Sequence, residues 1–118
     1  MATSTQKKEW LAILPDNVNV LEIRKKVKSE PSISDHYEGI KPLIASGKLP
    51  AGGAIFEKHP VDGESALFKG SVVVYAAESI EQVREIIQND VYSKSGVWDL
   101  DRVQIIPYVP AVREPLKK

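Results

Sequence analysis

Phe68-Lys69-Gly70-Ser71-Val72-Val73-Val74-Tyr75 decides how this chain is read. From Ser71 to Tyr75 the run is β-branched and aromatic, the composition that suits a half-buried pleated surface. It is the clearest strand in the sequence. The polar stretch Glu57 to Lys69, carrying Pro60 and Gly63, reads as a long hairpin connection into it. Upstream, Leu49 to Phe56 reads as the partner strand, loosened by Gly52-Gly53. Downstream, Ser79-Ile80-Glu81-Gln82 has the form of a capping box, with Ser79 as N-cap and Gln82 three residues later. Val83, Ile86 and Ile87 then supply a core-facing helical stripe, and Asn89-Asp90 ends it. Val91 to Lys94 allows one more turn, which Gly96 breaks.

The rest of the chain fits around this centre. Trp10-Leu11-Ala12-Ile13-Leu14 is a short apolar run closed by Pro15-Asp16-Asn17, a buried strand followed by a turn. Asn17 to Lys28 permits either a helical turn or a loop, and Glu30-Pro31 closes it. Ser32-Ile33-Ser34-Asp35 then offers N-cap residues, and Ile33, Tyr37, Ile40, Leu43 and Ile44 recur at helical spacing. Pro42 should kink that helix, and Ser46-Gly47 should stop it. Val97 to Val109 reads as the last strand. The organisation is a polar N-terminal segment at residues 1–9, one α+β domain at residues 10–109 and a polar tail at residues 110–118. The order β-α-β-β-α-β is the split, ferredoxin-like arrangement with an antiparallel sheet. Two helices cover one face of such a sheet. The other face needs a cover, and a second copy is the natural one, so a homodimer or higher even oligomer is expected.

Composition bounds the function. The 118 residues suit one domain able to bury a core without crosslinks. Lys plus Arg and Asp plus Glu are both 16, a net charge of +0, which argues against nucleic acid or an anionic membrane as the main partner. Cys is absent, so thiol chemistry and Cys-based metal sites are excluded. No stretch reads as a signal peptide or a membrane span, and a soluble cytoplasmic protein is expected. No Gly-rich phosphate loop or metal-ligand spacing occurs, so neither a cofactor nor a metal is implied.

A further pattern runs across most of the chain. It comprises Leu14-Pro15-Asp16, His36, Gly47-Lys48-Leu49 with Gly52-Gly53, Phe68-Lys69-Gly70-Ser71, Asp90-Val91-Tyr92 and Gly96-Val97. In order and spacing this resembles the YCII-related family, from Trp10 to Tyr108. Two positions differ from the family pattern. Ile33 stands where many members have Arg, and Val91 replaces a Pro after the Asp. The resemblance implies a dimeric α/β barrel fold. It also implies lyase or dehydrohalogenase chemistry on small cyclic compounds, with isomerisation in related barrels.

The same resemblance points to His36 and Asp90 as a catalytic pair. A neutral imidazole can take a proton from carbon next to a carbonyl, and a carboxylate in reach would fix its tautomer. His36 would lie in the first turn of its helix, near the positive end of the dipole. The plain alternatives are a first-turn His bonded to backbone or water, and an Asp serving the turn after a helix. Ser71 is a candidate donor to a substrate oxygen, or a strand hydroxyl bonded to backbone. Gly53, with Gly52, would let a ligand approach the backbone, or mark a bulge. Tyr92 and Trp98 would wall an aromatic pocket, or serve as core or dimer contacts. Arg24, in a short basic run, would meet a substrate carboxylate, or form a solvated face. His59 lies in the polar loop and reads as solvated. The favoured function is cofactor-independent lyase, dehydratase or isomerase chemistry on a small carbonyl-containing, cyclic or aromatic metabolite. The alternative is a non-catalytic small-ligand-binding or assembly protein of the same fold.

Overall fold

A computed structural model describes the backbone of residues 7–23 and 34–117, and the side chains of residues 7–23 and 39–117. Arg24, the rest of the basic run at residues 24–28, the cap positions at 32 and 33, and the His36 side chain lie outside the described residues. The elements are β1 (Lys8–Pro15), α1 (Ser34–Ala45), β2 (Ala51–Phe56), β3 (Phe68–Ala77), α2 (Ile80–Gln88), α3 (Val91–Lys94), a 3-10 turn (Leu100–Arg102) and β4 (Gln104–Tyr108). Residues 21–23, where helix and loop were both open, are helical.

The four strands form one sheet in the order β2-β3-β1-β4, and every neighbouring pair is antiparallel. This is the expected ferredoxin-like α+β fold. The β-branched run at residues 71–75 occupies the middle of the sheet because it can bury both faces. Its register pairs Leu14 with Ser71, Ala12 with Val73 and Trp10 with Tyr75. Directly opposed residues share a face, so Ala12, Leu14, Val73 and Tyr75 lie together. They join Val83 and Ile87 of α2, together with Tyr92 and Trp98, in the core. Full burial of side chains such as Leu14 and Val83 contributes about 1.5–3 kcal/mol each. The opposite face presents Leu11, Ile13, Val72, Val74 and Ile106, none of which belongs to that core cluster.

Gly70 permits the close pairing at the end of β1. A Cβ there would overlap the Leu14 carbonyl oxygen and stand 2.9 Å from Pro15 Cα. Gly52 and Gly53 pair regularly with Val73 and Val72, so of the two readings open for them the bulge is absent. The irregularity falls between Ile55 and Phe56 instead, where the chain turns into the long connection. β3 is also longer than its β-branched part, opening at Phe68.

Helix ends follow the local sequence. Pro42 lies inside α1, and the helix runs on past it to Ala45. Gly47, at φ +80°, then lets Lys48 N–H reach Leu43 O at 2.8 Å and its own N–H reach Ile44 O at 3.1 Å. Only a residue at ease in the left-handed region closes a helix in this way. At α2, Ser79 Oγ accepts from Gln82 N–H at 3.3 Å, as a capping box requires. The Gln82 side chain reaches back one residue further than expected, accepting from Glu78 N–H at 3.0 Å. The expected last strand from Val97 to Val109 is shorter. Trp98 makes an isolated antiparallel bridge with Asp16, Asp99 then caps a 3-10 turn by accepting from Asp101 N–H, and the continuous ladder of β4 starts at Gln104. A short polar side chain that captures the backbone locally takes it out of the ladder.

Candidate functional site

A cleft of about 540 Å³ opens between α1 and the β2–β3 half of the sheet. Ile40 and Ile44 of α1 form one wall. Phe56, Phe68, Val73, Tyr92 and Trp98 form much of the rest. Its size and apolar lining suit a small organic ligand. The Phe56 and Phe68 rings lie 4.6 Å apart at 40°, and the Tyr92 and Trp98 rings 5.6 Å apart at 59°. Polar groups are few and convergent: Ser71 and Tyr75 from one face of β3, and Asp90 from the start of α3.

Long-range bonds to backbone hold Trp98 in place. Asn17 Nδ2 donates to Gly96 O at 3.0 Å and to Trp98 O at 3.1 Å, and Asn17 N–H donates to Val97 O at 2.8 Å. The turn after β1 therefore grips the segment after α3. So held, Trp98 Nε1 donates to Ser71 Oγ at 3.3 Å. Ser71 is only 7% exposed.

Asp90 serves the local fold as well as the cleft. Its Oδ1 accepts from Tyr92 N–H at 2.9 Å, which makes it the N-cap of α3 rather than only the tail of α2. That cap turns the chain so that Tyr92 enters the core. Tyr75 is 1% exposed, and its phenol is pushed well above the usual 10.0, first by burial and then by the nearby Asp90 charge. A tyrosine so placed stays protonated at neutral pH and offers a hydrogen-bond donor.

Of the residues singled out from the sequence, Ser71, Gly53, Asp90, Tyr92 and Trp98 line this one cleft. The space beside Gly53 is open, since a Cβ there would meet nothing within 4 Å. His36 lies in the first turn of α1, and α1 packs against α3, the helix that Asp90 begins. His59 is exposed in the connecting loop. Tyr75 is a polar group of the cleft that the sequence reading took only as a strand residue. Strand alternation was the available signal, because it puts residues 71, 73 and 75 on one face.

A second cleft of about 850 Å³ lies on the other side of Asp90 and Ile40, lined by Lys7, Lys48, Lys94, Glu78 and Glu85 among others. It is larger, but its charges are of mixed sign and it lies away from Ser71 and the aromatic walls. Among the described residues, no group of three or more His, Cys, Asp or Glu side chains gathers as a metal-ligand set. Among those residues, no helix is long and apolar enough to cross a membrane.

Comparison with known proteins places this geometry. The YCII-related domain model matches residues 9–108. Fusaric acid biosynthesis protein 2 of Gibberella fujikuroi is 32% identical over 105 residues, covering 89% of this chain and 96% of that protein. Aspartate kinase FUB3 of Fusarium oxysporum f. sp. lycopersici is 33% identical over 105 residues. There the match covers 89% of this chain but only 18% of the longer relative. Among solved structures, 5-chloro-2-hydroxyhydroquinone dehydrochlorinase (TftG) from Burkholderia phenoliruptrix AC1100, in complex with 2,5-dihydroxybenzoquinone, superposes with a TM-score of 0.67. It shares 21% identity, and the match covers 86% of this chain and 93% of that one.

Proposed function

The chain belongs to the YCII-related family, and on that premise we propose that it is a cofactor-independent acid/base enzyme of lyase, dehydratase or isomerase type. Its substrate is a small carbonyl-containing metabolite, cyclic or aromatic, held in the cleft beneath α1. His36 is the base and Asp90 its partner. The observation that carries this reading is the convergence of Ser71, Tyr75 and Asp90 in one aromatic-walled cleft beneath the helix that bears His36. His36 precedes Ile40 by four residues in α1, and Ile40 lines both this cleft and the larger one beside it.

The His36 imidazole takes a proton from the carbon next to the substrate carbonyl, and the electron pair moves onto the carbonyl oxygen as an enolate. The Ser71 and Tyr75 hydroxyls donate to that oxygen as charge develops. Asp90 stabilises the imidazolium. In elimination the electron pair then returns to expel a group from the neighbouring carbon. In isomerisation the imidazolium gives its proton back at a different carbon. The aromatic walls exclude water and favour a flat ring. The name of fusaric acid biosynthesis protein 2 supports a small-molecule role, as does the dehydrochlorinase likeness. The protein works in the cytoplasm as a homodimer, with no nucleic-acid or membrane partner. The half-buried apolar sheet face supports the homodimer, and the zero net charge fits the absence of nucleic-acid and membrane partners.

The test is the NMR titration of His36, assigned with a His59→Gln variant and repeated in Asp90→Asn. A carboxylate partner favours the imidazolium, so Asp90→Asn should lower the His36 pKa measurably. An ordinary titration near 6.5, unchanged by Asp90→Asn, would overturn the pair and favour the non-catalytic binding protein.

A further inference from the structure

The last stretch of the chain carries apolar side chains that its own fold leaves in water. Val109 is 89% exposed, Val112 78% and Leu116 89%. One exposed apolar residue needs no explanation. Three within eight positions, beside a sheet face whose Leu11, Ile13 and Val72 are only half-buried and whose Ile106 is 39% exposed, do. The stretch is tethered to that face. Arg113 donates to the Glu9 carboxylate and lies close to Tyr108. Glu9 and Tyr108 oppose each other across β1 and β4, and both lie on the side of Leu11 and Ile106. Pro110 and Pro115 stiffen the chain on either side of the tether, which reduces the entropy lost when it is ordered.

Area identifies the occupant. Four strands at a spacing of about 4.8 Å, some six residues long, present roughly 400 Å² of sheet in projection. A stable homodimer needs about 800 Å² per partner. The bare sheet face supplies only part of this, and a tethered arm with three apolar side chains supplies more. We propose that residues 109–117 form an arm that clasps a second copy of this chain, burying Val109, Val112 and Leu116 against the partner when the two open sheet faces pack together. This rests on the homodimer reading above, and the experiment separates the two.

Sedimentation equilibrium compares the full chain with the double variant Val112→Asp/Leu116→Asp. Both side chains are exposed within one copy, so the variant monomer should keep the parent's far-UV spectrum, and any loss in melting temperature should appear only at concentrations where the parent is dimeric. Its dimer Kd should rise by about tenfold or more. The chain has no Cys, so Leu116→Cys accepts a single nitroxide label. That label should be mobile in dilute solution and immobilised over the concentration range in which the dimer forms. A parent dimer whose Kd the double variant changes by less than about twofold would overturn the arm and leave the homodimer standing. So would a label mobile at every concentration. A parent that stays monomeric would overturn both.

Discussion

The Tyr75 hydroxyl sits in the core with the Asp90 carboxylate for a neighbour, and both surroundings oppose its ionisation. The sign of the consequence follows from linkage. Below about pH 10 the folded and unfolded states both hold the phenolic proton, and the contribution is complete. Above that pH the unfolded chain loses the proton first, so stability falls as pH rises, by about 1.4 kcal/mol per unit, until the raised folded-state value is passed. Urea unfolding between about pH 9 and pH 11 should show this slope, and Tyr75→Phe should lose it. Were Tyr75→Phe to keep the full slope, Tyr75 would not be the group responsible. Gly70 makes a steric prediction. Gly70→Ala drives a methyl group into the Leu14 carbonyl and should cost about 1–3 kcal/mol in thermal or urea unfolding. His36→Ala tests the proposed chemistry. Turnover should fall by about 100-fold or more with the far-UV spectrum unchanged, and full activity would remove His36 as the base. Ser71, Asp90, Tyr92 and Trp98 could be picked out from the sequence because they sit in a spaced pattern. Tyr75 could not, since alternation says which face a residue occupies but not whether a cleft reaches its hydroxyl. Nor could the Trp98–Ser71 bond, which depends on Asn17 holding a segment about 80 residues away in sequence.

Among elements, the centre of β3 and both ends of α2 were legible because their signals are local. A β-branched run reads as a strand, and a Ser three residues before a Gln reads as a cap. Ser79→Ala should therefore destabilise the protein by about 1 kcal/mol, read as a lowered urea midpoint with an unchanged slope. No change in midpoint would mean that tertiary packing alone holds the start of α2. The last strand is shorter than its sequence suggests, for a physical reason. Residues 97–109 carry enough apolar residues to read as one strand, yet Asp99 accepts from Asp101 N–H and from Arg102 Nε at 2.7 Å. Arg102 in turn donates to Asp16 O at 3.1 Å. These bonds favour a 3-10 turn over extended pairing, and the turn lets Trp98 stay beside the cleft while β4 joins the sheet further on. The double glycine in β2 leaves a bulge and a ligand approach equally open from sequence, and the bulge is the one the pairing excludes. Gly52 and Gly53 stay in register because β3 offers partners for both, and the irregularity moves to Ile55–Phe56.

At the scale of the whole molecule, the sheet has one face in the core and one outside it. Leu11, Ile13, Val72, Val74 and Ile106 come from three strands but form one apolar surface, because opposed residues in an antiparallel register share a face. A sheet with helices on one side exposes this surface unless something packs on it, and a second copy offers an identical apolar surface related by a twofold axis. Ile106 is the sharpest probe. It is 39% exposed, belongs to β4 at the edge of the sheet, and lies on the face away from the cleft. Ile106→Lys places like charges across a twofold interface while leaving the core side untouched. Light scattering should find twice the chain mass for the parent and a single chain mass for Ile106→Lys, with the His36 titration little altered if each cleft is complete within one copy. A parent of single chain mass would refute the argument from the uncovered face. An Ile106→Lys dimer would mean that the copies meet through another surface, leaving the apolar face of the sheet to a different partner.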